Sequence, residues 1–61
     1  MREEIIKILT KCGINAVAEE GGCEGIRLED ERAIVIYPPD RWVNAKNPQE
    51  GAEMIMKEWK S

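Results

Sequence analysis

Three groups of residues in this 61-residue chain have the types and spacing for chemistry: two thiols, a set of carboxylates, and a short segment that mixes a guanidinium, an indole and side-chain amides. The thiols are the potential nucleophiles. Cys12 falls at the end of a predicted helix, where the negative end of the helix dipole disfavours a thiolate, and it continues that helix's apolar stripe, so the expectation for it is core packing. Cys23 lies in Glu20-Gly21-Gly22-Cys23-Glu24-Gly25, where glycine amides favour an anion and the flanking carboxylates oppose it. The chain has no histidine, and the two cysteines lack C-x-x-C spacing. Most zinc sites and most general-base mechanisms therefore have no residues to run on, and the expectation is a chain with no catalytic residues, metal or cofactor.

The carboxylates Glu19, Glu20, Glu24, Glu29, Asp30 and Glu31 gather where the sequence turns, and residues 19–31 hold them against Arg27 alone. As a solvated rim they blunt edge pairing and keep a small protein soluble; as a functional surface they would dock a basic partner. The alternating acids and central glycine of an EF-hand loop are absent. Overall, nine Lys and Arg stand against twelve Asp and Glu, a net charge of -3, which argues against a general nucleic-acid binder.

Positive charge, an aromatic ring and amides come together between Arg41 and Asn47, with no acid between Asp40 and Glu50. This segment leads into a helix N-terminus, whose free N–H groups and dipole suit an anion. Arg41, Trp42, Lys46 and Asn47 are thus the candidate contacts for a phosphate, a nucleotide, a single-stranded nucleic acid or a partner protein, since tryptophan and arginine also anchor interfaces. The opposing reading tucks Trp42 and Val43 under the sheet and spends Arg41 on an acid of the hairpins.

The elements that position these groups follow from periodicity. Ile5, Ile8, Leu9 and Cys12 recur at helical spacing, with Glu3 and Glu4 in the first turn, Lys7 and Lys11 later, and Gly13 as the stop. Alternation predicts a strand within Ile14–Glu20, a second over Gly25–Glu29 after the Gly21-Gly22 turn, and a third over Ala33–Tyr37 that ends at Pro38-Pro39. A short Asp30-Glu31 tip would set Leu28 against Ala33 and Glu29 against Arg32, and a one-residue slip would exchange the faces of the third strand. Asn47-Pro48-Gln49-Glu50 has the form of a capping box with proline at N1, and Ala52, Ile55, Met56 and Trp59 carry the stripe of a second helix. Glu3 with Lys7 and Glu53 with Lys57 are favourable i, i+4 pairs.

The expected fold is α+β in the order α-β-β-β-α: one small domain with a three-stranded antiparallel meander and both helices mainly on one face. The run Ala33-Ile34-Val35-Ile36-Tyr37 is apolar on both faces, and two helices cannot easily cover both. The second face would then expose either Ile34 and Ile36 or Val35 and Tyr37, together with Val17, and such a face marks an interface. The function expected is a small non-enzymatic interaction module, a homodimer built through that face or the third strand, with the acidic rim turned to another protein; the alternative is the anion or nucleotide binder just described. The acidic N-terminus is unlike a secretory or targeting signal and no apolar run reaches membrane-spanning length, so the expected compartment is the cytoplasm and no membrane partner is expected.

Overall fold

A computed structural model describes residues 1–22 and 24–60 of the chain; Cys23 lies outside the described residues, and with it the question of its reactivity. The elements run α1 (Arg2–Lys11), β1 (Ala16–Ala18), β2 (Ile26–Glu29), β3 (Ile34–Tyr37), a 3-10 turn (Pro39–Arg41) and α2 (Pro48–Lys60). The three strands form an antiparallel sheet in the order β1-β2-β3, which gives the expected α+β meander.

Helix α1 ends as its glycine predicts. Gly13 sits at φ 85°, its N–H donates to the Thr10 carbonyl at 3.0 Å, and the Ile14 N–H reaches back to the Leu9 carbonyl at 3.0 Å. This is a Schellman termination, with Ile14 folded onto the core behind it. The helix stops one residue too early for its stripe: Cys12 is the C-cap and is exposed, not packed in the core as its spacing suggested. Ile6 and Ile8 instead pack partly against the buried Ile5 and Leu9. At the other helix, Asn47 Oδ1 accepts the Glu50 N–H at 2.8 Å and Pro48 opens α2, as the cap sequence requires. Neither expected i, i+4 ion pair forms among the described residues; the amino terminus pairs with Glu4 at 3.2 Å, and Glu53 accepts from Gln49 at 3.2 Å.

The sheet is shorter than expected in β1, and the β2–β3 register differs by two residues from the expected one. Leu28 faces Val35 and Glu29 faces Ile34, so the hairpin turns over Glu31-Arg32 and not Asp30-Glu31. The cause is a side chain: Asp30 Oδ1 accepts the N–H groups of Arg32 at 2.8 Å and Ala33 at 2.9 Å, while the Asp30 N–H donates to the Ala33 carbonyl at 3.0 Å. A shift of two preserves the faces. Ala16, Ile26, Leu28 and Tyr37 are buried with Ile5, Leu9, Trp42, Ala52 and Ile55 in one core, with Val35, Met56 and Trp59 packed at its margin. Both helices thus cover a single side of the sheet. Gly51 lets them approach, since a Cβ there would stand 2.7 Å from Ile5 Cδ1.

Candidate functional site

The segment from Arg41 to Asn47 folds into a series of tight turns. Trp42 N–H bonds to the Pro39 carbonyl at 3.1 Å, Val43 N–H to the same carbonyl at 2.7 Å, and Ala45 N–H to the Trp42 carbonyl at 3.1 Å. These turns direct Trp42 inward: it is only 7% exposed and belongs to the core, so its ring offers no face for a base to stack on. Its indole Nε1 is buried with no hydrogen-bond partner among the described residues. Arg41 Nη1 meets Glu58 Oε1 of α2 at 2.7 Å, an ion pair at the surface with an acid that the hairpins do not supply. The Asn47 oxygen is occupied by capping α2. Of the four candidate contacts, Trp42 is thus withdrawn into the core, while Arg41, Lys46 and Asn47 stay at the surface, Arg41 paired with Glu58.

The carboxylates are divided as well. Glu19, Glu20 and Glu24 lie at the β1–β2 connection, while Asp30 and Glu31 lie at the opposite end of β2. Gly25 and Asp30 are five positions apart along extended chain, roughly 17 Å at strand rise. Glu19 holds its turn, its Oε1 accepting the Glu20 N–H at 3.1 Å and the Gly21 N–H at 3.4 Å, while Glu29 accepts from Asn15 Nδ2 across the strands at 3.2 Å. No group of three or more metal-ligating side chains gathers among the described residues.

Asp30 does measurable work in its turn. The backbone N–H groups of Arg32 and then Ala33 hold its carboxyl below the ordinary value of 3.8, against a small opposing effect of desolvation. A carboxyl whose folded pKa is depressed contributes stability above its unfolded pKa and loses it as pH falls through the folded value. The expected result is an Asp30 titration midpoint under 3.8 by carboxyl-detected NMR. Asp30→Ala should lower stability at neutral pH and flatten the stability profile below about pH 4; a wild-type midpoint at or above the ordinary carboxylate value would remove this role for the side chain.

The open face of the sheet brings together what the other candidates do not. Across it run two rows, Val17-Arg27-Ile36 and Asn15-Glu29-Ile34, fixed by the strand register. Ile34 is 63% exposed and Ile36 43% exposed, while Val17 and Arg27 are half-buried. Arg27 Nε is buried between Val17 and Ile36 without a partner among the described residues. The sequence marked Ile34, Ile36 and Val17 as a possible interface but did not place Arg27 there, and read Glu29 only as one of the turn acids; their place on the same face was implicit in the alternation of Gly25–Glu29. Arg2 was missed as well: its Nη1 donates to the Glu19 carbonyl at 3.2 Å and the Gly25 carbonyl at 3.5 Å, clamping the β1–β2 connection to α1. A clamp of this kind has no sequence signal, because it joins residues 17 and 23 positions apart.

No family model matches the chain, and neither a curated protein nor a solved structure does. Function must therefore be argued from the surfaces alone. No helix among the described residues is long and apolar enough to cross a membrane.

Proposed function

We propose that this chain is a small, non-enzymatic interaction module that self-associates through the open side of its sheet and its third strand, with its two acidic ends left to meet a basic partner protein. The observation that carries this reading is the placement of Ile34 and Ile36 side by side, 63% and 43% exposed, on a sheet face that neither helix covers. Antiparallel sheets that leave one face to solvent usually make that face polar, and an apolar one is commonly spent on an interface. Complete burial of one exposed isoleucine side chain contributes about 1.5–3 kcal/mol; Ile34 and Ile36 are already partly covered, so what is left of the pair to bury is worth about one such side chain per copy at most, a part of the free energy of a weak dimer.

The test is the solution mass by light scattering behind a sizing column, over a concentration series at low and high salt. Dimerisation that persists in high salt is expected, because apolar burial is not screened. Ile34→Asp or Ile36→Asp should leave a folded monomer with unchanged far-ultraviolet circular dichroism, since both side chains lie outside the core. A monomer at every concentration, for the unmodified chain, would overturn the reading.

A further inference from the structure

The register of β3 allows the mode of self-association to be derived, on the reading just proposed. In an antiparallel ladder, residues alternate between bonding to the neighbouring strand and pointing their N–H and C=O groups away from it. Asp30 and Ala33 form a bonded pair, so the next bonded pairs are Leu28 with Val35 and Ile26 with Tyr37. The N–H and C=O groups of Ile34 and Ile36 therefore point outward from the β3 edge, and no other backbone group among the described residues takes them. Proteins ordinarily protect such an edge with a charged side chain, a proline, a bulge or a covering element. Ile34-Val35-Ile36-Tyr37 carries no charge and no proline, whereas the other edge strand, β1, lies beside α1.

We propose that the occupant of this edge is a second copy of the chain, joined β3 to β3 in antiparallel fashion about a two-fold axis at Val35, with Ile34 opposite Ile36 of the second copy, to give a continuous six-stranded sheet. Of the symmetric registers, this one satisfies every outward group of both isoleucines in both copies. Centring the pair on Ile36 would place Ile34 against Pro38, which has no N–H to give and whose carbonyl already accepts from Arg41 at 3.0 Å. Centring it on Ile34 would call on the Arg32 N–H, which Asp30 already holds at 2.8 Å. The chosen register also gathers Ile34 and Ile36 of both copies into one apolar cluster on the open face.

Charge supports the same occupant. The register carries Arg32 of one copy alongside Pro38 of the other, at the notch that Pro38, Arg41 and Glu58 line. Arg32 forms no ion pair of its own among the described residues, and it would meet there the existing Arg41–Glu58 pair, which stands at 2.7 Å, and could join it as a third member. The two-fold axis makes this meeting twice.

Disulfide trapping tests the register in a Cys12→Ser, Cys23→Ser background. Val35→Cys sits on the axis in a non-bonded pair, with Cα atoms about 4.5 Å apart, and should cross-link to itself under mild oxidation. Ile34→Cys should not, because its own copy lies two residues away along the ladder, about 8 Å distant and beyond disulfide reach. A chain made by chemical synthesis with an N-methyl group on Ile36 should keep its fold and lose about tenfold or more in dimer affinity, since that N–H is not used within the subunit. Arg32→Glu should weaken the dimer, whereas Arg32→Lys, which keeps the charge, should not. A dimer that traps through Ile34→Cys or Val17→Cys and not through Val35→Cys would overturn edge pairing in favour of face-to-face packing, with self-association intact. A chain monomeric in every form would overturn both.

Discussion

Trp42→Ala should cost the chain a large part of its stability, although the sequence places this residue in what looks like a surface segment. Trp42 is 7% exposed and packs in the single core of the chain. Truncating a buried tryptophan to alanine costs about 3–5 kcal/mol. A domain of this size has a total stability of roughly 3–9 kcal/mol, so the loss takes between about a third and all of what is available. At about 4–8 °C per kcal/mol, the melting temperature should fall by roughly 12 °C or more. Trp42→Phe separates packing from hydrogen bonding. It keeps an aromatic ring in the core and deletes the indole N–H, which is buried without a partner. An unsatisfied buried donor costs about 1–3 kcal/mol, so the phenylalanine variant should recover much of what the smaller ring forfeits and lose less than half of what alanine loses. Urea titration followed by circular dichroism measures both. If Trp42→Ala lies within about 1 kcal/mol of the parent, Trp42 is not a core residue and the anion-binding use of its segment returns.

This outcome shows why part of the chain was legible and part was not. Both helices were, because their apolar residues recur at one period and their ends carry Gly13 and Asn47-Pro48, residues that stop or start a helix by local geometry alone. The stripe misled at one position: Cys12 continues the spacing of Ile5 and Leu9 beyond the last helical residue, and periodicity does not report where the backbone leaves the helix. The hairpin was legible as a pair of strands but not in register, because a single carboxylate, Asp30, moved the turn by capturing two N–H groups. Alternation did fix which side chains share a face. It could not say which face the helices take, and that decision, made by α1 and α2 together, is what exposes Ile34 and Ile36 and buries Tyr37. For the segment around Trp42 the same residues suited a surface or a core, and only the three-residue turn Pro39–Arg41 resolves them.

The sheet that carries the proposed interface depends in turn on a glycine with no side chain to contribute. Gly25 enters β2 where the chain crosses β3, and a Cβ there would stand 2.6 Å from the Tyr37 carbonyl oxygen, 3.2 Å from its carbon and 3.4 Å from Ile36 Cγ2. Two of these neighbours are backbone, which cannot rotate away as a side chain can. Its φ is not positive, so the restriction is one of space rather than conformation. Gly25→Ala must therefore push β3 away from β2 at the Ile26–Tyr37 pair. Overpacking of this kind costs about 1–3 kcal/mol, only partly offset by the 0.4–1 kcal/mol or so that alanine gains by restricting the unfolded chain. Gly22 is the control: a Cβ there meets nothing within 4 Å among the described residues, and its φ is not positive either. Gly22→Ala should be neutral or slightly stabilising, while Gly25→Ala should lower stability by about 1–2 kcal/mol. Because the displaced strand is the proposed edge, Gly25→Ala should also weaken self-association at temperatures where the subunit is still folded, a loss that chemical denaturation and light scattering on the same sample would resolve. Equal stability in the two variants would mean that β2 and β3 separate at this point without cost, and the register that orients Ile34 and Ile36 outward would lose its anchor.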